Sequence, residues 1–597
     1  MIYSAQKLEF LRAALKYKGI DTYIVPSTDP HLGEYTPDHW QIIRWLTGFT
    51  GSTATVVVTD NFAGLWTDSR YFIQAEKQLT GSGFGFVKPG VFQRNDFMDF
   101  ICENARPGHE IGIDGRVIST TNFQRLEKKL KDKKVSIHAD CDLITGIWDD
   151  RPALPVSVAF DHPVKFSGKE RSVKISDVRE QMRKQNADYH LLTASEDIMW
   201  LLNIRGNDLQ YSPLLFSYAL IGKTQILLFI DDAKIPLKLA SEFDNQGIVI
   251  MPYNEVTDIV SSVAKGFSVL IDPATTSVAL YISIRERSKI IESISIPGRL
   301  KSIKNKTEIE NLGNVMIKDG VALTRFFYWF DNNHGKLPMT ESFLADKLVE
   351  LREQQEDFIE PSFATIVAFN ENSALPHYTP ETGAGAEIGD RGLLLVDSGG
   401  QYMGGTTDIT RTIPVGITSP GQKKDFTLIL KGHIGLALAK FPEGTRGYQL
   451  DFSARRAMWE AGINYAHGTG HGVGYCLNVH EGPQSISPAY NKTVIESGML
   501  TSNEPAIYRE GEYGIRIENL ILCYEDEETE FGQFLRFDTV SLCYIEKSLI
   551  DRTLLDRKEI DWLNAYHSQV YDKLSPYLSG DEKEWLKEKT DPLDISI

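Results

Sequence analysis

The stretch LLLVDSGGQYMGGTTDITRT, residues 393 to 412, supports two chemistries. Its DSGG is the tetrapeptide that surrounds a serine-protease nucleophile, which would make Ser398 the attacking group. Alternatively, Asp397 and Asp408 are paired carboxylates aimed at metal and Ser398 is structural. Further along, YAHGTGHGVGYCLNVHEG places His467, His471 and His480 among glycines that let the backbone approach a centre closely. SALPHYTP adds His377 beside a proline-constrained turn, and GMLTSNEPAIY and GIRIENLILC supply Glu504 and Glu518. Four carboxylates in apolar strands cannot all stay ionised without cations, because unpaired burial costs several kcal/mol each and like charges repel. A pair of divalent ions removes the difficulty. Carboxylate and imidazole donors without thiolate favour manganese, iron, cobalt or zinc, with Mn2+ suited to the oxygen-rich set. Two ions about 3.5–4 Å apart can share a hydroxide that is a good nucleophile near neutral pH.

Each of these residues also has a structural reading. An Asp at the end of a buried strand often only forms a turn, and a lone loop histidine such as His467 or His480 is often satisfied by its surroundings. Glu518 could pair with Arg516, and Cys476 could be a nucleophile or a small buried thiol. GTGHGVG does not fit the G-x-G-x-x-G dinucleotide loop, and no strand with an acidic partner follows it.

The elements that must hold these groups can be read from periodicity. GLLLVDSGG is a buried strand ending at Asp397, TTDITRTIPV is a second with Asp408 near its start, and glycines 399, 400, 404 and 405 permit a tight reversal between them. Glu504 and Glu518 flank a hairpin turned at REGEYG, and alternation along GIRIEN sets Arg516 and Glu518 on one face. The spacing predicts helices over 307–331, 340–356, 422–440 and 447–462, with a capping box at Thr307 and Glu310. Helices and antiparallel strands in blocks indicate α+β for 301–597. Before that, two segments follow one plan. A helix over 5–17 leads into DTYIVPSTDPHLGEY, a helix over 175–186 leads into DYHLLTASEDIMWLLNIRG, and each later reaches an Ile-Asp strand end. A duplicated α/β unit is the economical account, with boundaries at WDDRPALPVS (148–157) and SIPGRLKSIKNKTEIENL (295–312), the latter opening on a Pro-Gly turn.

The chain has 597 residues, enough for several domains, and a formal charge of −18, which argues against nucleic acid as the main partner. Five cysteines without a CxxC pair speak against a disulfide framework or a thiolate zinc site. The N-terminal stretch lacks the uninterrupted apolar segment of a signal peptide, and no run reaches the ~20 apolar residues of a membrane span. The expectation is a cytoplasmic protein with no membrane partner.

Taken in order, VDSGG, GTTDITRT, HGTGHGVG, SNEP and GIRIEN resemble the metal-binding signature of the pita-bread metallopeptidases, which include methionine aminopeptidase, prolidase and aminopeptidase P. The resemblance implies that Asp397, Asp408, His471, Glu504 and Glu518 ligate two divalent ions, foremost Mn2+, and that Ser398 is not a nucleophile. It further implies that Glu504 handles the proton of a bridging hydroxide attacking the carbonyl before proline, that His480 helps stabilise the oxyanion, and that His377 and His467 line the cleft and hold the peptide. DPHLGEY, GFTGSTATVVVTDNFAGLWTDSRYF and NIRGNDLQYSPLLFSYALI extend the resemblance, to the long cytosolic-type aminopeptidases P, over nearly the whole chain. The implied architecture is two creatinase-like α/β domains, 1–155 and 156–300, followed by a pita-bread catalytic domain over 301–597 with a C-terminal extension.

The implied activity is release of the N-terminal residue from peptides with proline in second position. A prolidase restricted to Xaa-Pro dipeptides and a non-catalytic peptide-binding module are the alternatives. Arg70 in WTDSRYF resembles a first-domain arginine that reaches the substrate, with a salt bridge to a neighbouring carboxylate as its structural alternative. Ala506 stands where the family commonly has glycine, which puts the turn beyond Glu504 in question. A homodimer is implied as well, with WLNAYHSQVYDKLSPYL either an interface or a core helix.

Overall fold

The computed structural model describes residues 3–88, 96–378, 383 and 385–594. The chain forms two compact units, Met1–Asp161 with Lys169–Gly298, and His162–Gly168 with Arg299–Ile597.

The first unit contains the same sheet twice. Thr22–Pro26, Ala54–Thr59 and Ala63–Thr67 form an antiparallel meander, extended in parallel by Glu110–Ile113 and Ser136–His138 at one edge and by Gly85–Phe86 at the other. Tyr189–Leu192, Tyr218–Ile221 and Ile226–Phe229 repeat the meander, with Ser268–Ile271, Lys289–Glu292 and Ile248–Met251 in the corresponding places. Numbered within each set, both sheets run 4-3-2-1-5-6, the duplication expected from the sequence. Buried Val, Ile and Leu fill these strands, as expected where helices cover both faces. Helices lie over 4–18 and 171–184, close to their predicted spans. His31 of DPHLGEY is buried and ties the two halves of this unit together, its Nδ1 bonding Thr193 O at 2.8 Å and its Nε2 the Tyr253 hydroxyl at 2.9 Å.

In the second unit, helices Lys306–Asn333, Glu341–Glu353, Pro420–Ala437 and Gly447–Glu460 match the four predicted spans. Two starts differ from expectation. The capping box is formed by Asn305 and Glu308, not by Thr307 and Glu310. Asparagine outranks threonine as an N-cap, and Asn305 Nδ2 is also engaged by Ser167 O at 3.0 Å. Pro297 and Gly298 do not make a turn but lie in the short helix Ile296–Ser302, since proline is tolerated in a first helical turn. The helices pack against two antiparallel sheets. One comprises Ile366–Phe369, Gly392–Ser398 and Ile409–Val415; the other comprises Lys440–Pro442, Gly532–Thr539, Asn519–Thr529 and Leu500–Asn503. The aromatic tail is a core helix, Arg557–Leu574, which buries Leu563, Tyr566, Val570 and Leu574. Among the described residues no helix is long and apolar enough to cross a membrane.

Candidate metal centre

Asp397 lies at the end of a fully buried strand, opposite Thr410 in the antiparallel register, and Asp408 immediately precedes the partner strand. Burial on both faces fixes that register, because a slip of one residue would turn the face that carries Asp397 into the apolar cluster around Leu394 and Val396. Ser398 is buried, and its hydroxyl has no hydrogen-bond partner among the described residues. A serine nucleophile needs a base within hydrogen-bond reach, so the metal-carboxylate reading of this strand is the one its surroundings favour.

The two glutamates sit at a fork. The strands Leu500–Asn503 and Asn519–Thr529 pair up to Asn503 opposite Asn519, and the next facing pair would be Glu504 and Glu518. There the ladder opens. Glu504 N donates instead to Thr469 O at 2.8 Å, and Glu518 N to Thr410 O at 3.1 Å. Beyond the fork the chain closes again, with Ala506–Arg509 pairing Tyr513–Arg516. Ala506 opens that strand in the buried interior opposite Arg516, so an extended backbone accommodates it where the family commonly has glycine.

The histidine loop is held from two sides. The buried pair Arg455 and Asp451, 2.6 Å apart on one helix face, anchors it. Arg455 donates to Tyr465 O and His467 O, while Asp451 accepts from the Thr469 hydroxyl. A Cβ on Gly470 would lie 1.9 Å from Ser502 O, and one on Gly472 would lie 2.1 Å from Glu481 O, so the close approach needs glycine at both. His471 Nδ1 donates to Gly472 O at 2.9 Å, which leaves Nε2 facing Asp408 Oδ2 at 3.4 Å and Glu504 Oε1 at 3.5 Å; against the effect of burial, the contact with Asp408 and the charges of Glu504 and Asp408 raise the ring to about 9, so a cation there would take the place of a proton. These separations are long for hydrogen bonds. Two donors each about 2.1 Å from one ion at a near-tetrahedral angle lie roughly 3.4 Å apart, which the separations match.

Ligand atoms of three overlapping sets come within 4.8 Å of one another: Asp397, Asp408 and Glu518; His471, Glu504 and Glu518; and Asp408, His471 and His480. The five residues expected as ligands are thus brought together. His480, expected only near the oxyanion, joins them, its ring 4.4 Å from that of His471 and nearly perpendicular to it. Burial, partly offset by Arg516 and reinforced by Asp408, pushes the Asp397 carboxyl up to about 6. Burial and the charges of Asp408, Glu504 and Asp397 push Glu518 well above the carboxylate range. Asp397 Oδ1 is buried with no hydrogen-bond donor among the described residues, which is costly for an ionised oxygen unless a cation takes it. Hard oxygen donors around one or two imidazoles, with the fully buried Cys476 in none of the sets, fit divalent metal.

Several functional contacts escape the sequence. Arg516 pairs with Asp397, not with Glu518, and its Nε donates to the Thr410 hydroxyl at 3.0 Å, which in turn donates to Glu518 Oε2 at 2.7 Å. Arg516 Nη1 also donates to the Tyr508 hydroxyl at 2.7 Å. His467 Nδ1 is committed to Gly468 O, so its Nε2 accepts from Tyr508 at 3.0 Å. Burial lowers the His467 imidazole to about 4, consistent with a neutral acceptor. The pairing of Arg516 and Asp397 joins segments remote in sequence, whereas the sequence pointed instead to a pair of Arg516 with Glu518.

His377 is half-buried just beyond the 3-10 turn Asn370–Ala374, whose Ser373 hydroxyl accepts from Gly514 N at 2.7 Å and so ties the turn to the Arg516 strand. Arg70 belongs to the other unit, where it makes a two-point pair with Asp68, at 2.8 and 2.7 Å, and lies 3.7 Å from Glu34. The carboxylate pairing set against its substrate role is therefore present.

Residues 310–525 match metallopeptidase family M24, and 533–593 match the C-terminal region of peptidase M24. Residues 7–142 and 150–308 each match the creatinase/prolidase N-terminal domain. The chain is 38% identical over 613 residues to Xaa-Pro aminopeptidase 1 of Dictyostelium discoideum, covering 99% of this chain and 96% of that protein. It is 38% identical over 616 residues to aminopeptidase P2 of Arabidopsis thaliana, covering 96% and 86%. Its structure superposes on X-prolyl aminopeptidase from Caenorhabditis elegans, described as a cytosolic enzyme with a di-nuclear active site, with a TM-score of 0.95 and 34% identity over 99% of this chain and 100% of that one.

Proposed function

Because the chain belongs to metallopeptidase family M24, and resembles Xaa-Pro aminopeptidases through its N-terminal segments as well as its metal-centre unit, we propose that it removes the N-terminal residue from peptides with proline in second position. The observation that carries this reading is the end-to-end likeness at 38% identity together with the carboxylate and histidine cluster. In this reading 301–597 is the catalytic domain, preceded by creatinase-like domains over 1–155 and 156–300.

Asp397, Asp408, His471, Glu504 and Glu518 hold two divalent cations, with Mn2+ preferred by the oxygen-rich donors. Bound there, such ions supply Lewis acidity and lower the pKa of water at the site. Glu504 takes the proton of the attacking water at the carboxylate oxygen not engaged by the Ser502 hydroxyl, and delivers it to the departing proline nitrogen. His480 donates a hydrogen bond to the oxygen of the scissile carbonyl as charge develops on it. His467, kept neutral and oriented by Tyr508 and Arg516, and His377 hold the peptide around the proline. Proline offers no amide N–H, so its recognition rests on shape and apolar contact. The protein acts in the cytosol as a homodimer, a state that sedimentation of the purified chain would check.

The deciding experiment is hydrolysis of Arg-Pro-Pro and Arg-Pro by metal-stripped protein with and without Mn2+, beside Glu504→Ala. Metal-dependent release of arginine from the tripeptide, lost in the variant, is the expected result. Cleavage of the dipeptide alone would make the protein a prolidase, and cleavage of neither would leave a peptide-binding module.

A further inference from the structure

His433, on the helix Pro420–Ala437, is fully buried and belongs to none of the ligand sets. Its ring lies across the fork between the two glutamate strands. Nδ1 donates to Asn503 O at 3.1 Å, Nε2 accepts from Asn519 Nδ2 at 3.0 Å, and the backbone carbonyl of His433 accepts from Asn503 Nδ2 at 2.9 Å. These two asparagines are the last facing pair of the ladder, one residue before Glu504 and one after Glu518.

The orientation of the ring is over-determined. Asn519 Oδ1 is taken by Arg411 Nη2 at 2.8 Å and by the Tyr566 hydroxyl at 3.2 Å, so its amide can only present N–H groups to His433. Asn503 O can only accept. A neutral imidazole with hydrogen on Nδ1 satisfies both neighbours, whereas an imidazolium would set a donor against the Asn519 donor. Burial, together with the nearby charge of Arg411, lowers the ring to about 3, which agrees with that state. Trp562 closes the remaining side, its ring 5.8 Å away and edge-on.

A ladder that ends between two carboxylates would ordinarily splay or re-pair, because backbone hydrogen bonds no longer hold it and like charges push it apart. We propose that His433 is a positioning residue for the metal centre, bridging Asn503 and Asn519 so that Glu504 and Glu518 open at the separation a pair of cations requires. The inference rests on the reading that the cluster binds divalent ions, and the test separates the two.

Metal-free wild type, His433→Leu and His433→Gln are titrated with Mn2+ by calorimetry, and exchange coupling between the bound ions is followed by electron paramagnetic resonance. Groups that orient ligands typically change metal affinity by about 10–100-fold. His433→Leu is expected to weaken one of two Mn2+ ions by that factor and to lose the coupling, while His433→Gln, which can still donate and accept, recovers most of both. If wild type binds two ions and His433→Leu binds them with unchanged affinity and coupling, the inference is overturned. Equal losses in the Leu and Gln variants would overturn it too, since packing rather than bridging would then be at work. If His433→Leu does not fold, His433→Asn, too short to span both asparagines, takes its place against His433→Gln. Wild type that binds no Mn2+ would remove the metal reading itself.

Discussion

Arg516 lies against Asp397 rather than against Glu518, its neighbour two residues along the chain. The guanidinium is therefore the protein's own counter-charge to Asp397, the carboxylate of the cluster most remote from it in sequence. Replacing it with methionine leaves Asp397 buried without a cation, a change that typically costs about 3–5 kcal/mol. The metal-free Arg516→Met protein should melt well below wild type, and saturating Mn2+ should recover more of the difference than it adds to wild type. An equal gain in both proteins would contradict the pairing.

Glu518 should show opposite signs with and without metal. It shares its buried surroundings with Asp408, Glu504 and Asp397, so Glu518→Gln relieves repulsion in the metal-free protein and should raise its melting temperature. The same change removes a cation donor. Saturation at 100 times Kd stabilises a fold by about 2.7 kcal/mol per site, and that gain should shrink or vanish in the variant. Paired thermal melts with chelator and with Mn2+ read both effects.

Acid should destabilise the fold through histidines that belong to none of the ligand sets. Burial lowers His190 to about 4, and burial with the nearby Lys547 and Arg411 charges lowers His567 to about 3. Both titrate near 6.5 when unfolded, so below that pH the unfolded chain binds protons that the native one refuses. Their contribution is complete above pH ~6.5 and is lost as the pH falls toward ~4, by up to about 1.4 kcal/mol per pH unit for each. Denaturant titrations of wild type and His190→Gln between pH 7.5 and 5 should differ in slope by one proton, and parallel curves would exclude the assignment.

Glu341 is a buried carboxylate that pairs with no cation among the described residues. It accepts from Phe369 N at 2.7 Å and Asn372 Nδ2 at 3.0 Å on one oxygen, and from Tyr378 OH and Ala386 N, both at 2.7 Å, on the other. Tyr378 follows His377, so this carboxylate fixes the turn that presents the histidine. In Glu341→Gln an amide donor meets donors, at a cost of about 1–3 kcal/mol. KM for a proline tripeptide should rise several-fold while kcat changes less; a fall confined to kcat would place His377 outside substrate binding.

Ser398→Ala tests the rejected nucleophile. The hydroxyl is buried and makes no hydrogen bond among the described residues, so its removal should leave stability unchanged or slightly raised, and peptidase activity intact. Abolished hydrolysis in a folded variant would reopen the serine reading.

Periodicity made the helices and the paired strands legible, because each is a local pattern of burial. Order along the chain made the five candidate donors legible as a set. What stayed hidden depends on contacts between distant segments: the bond of Arg516 to Asp397, the chain through Tyr508 to His467, and the bridge of His433 across the fork. His433 stands in an apolar helix with nothing in KGHIGLA to mark it. The misplaced capping box shows the converse, since Thr307 and Asn305 both fit an N-cap and the stronger preference of asparagine is reinforced by its contact with Ser167, which the sequence does not show.

The fork has a kinetic side. Asp397 and Asp408 are joined by one short out-and-back, and Glu504 and Glu518 by another, whereas the bond from Arg516 to Asp397 spans 119 residues. Hairpins form in about 1–10 μs, and contacts across long loops come later. A refolding chain therefore gathers its like charges before the two halves meet. A divalent ion bound there at that moment would offset the repulsion, so refolding with Mn2+ is expected to be faster than refolding with chelator.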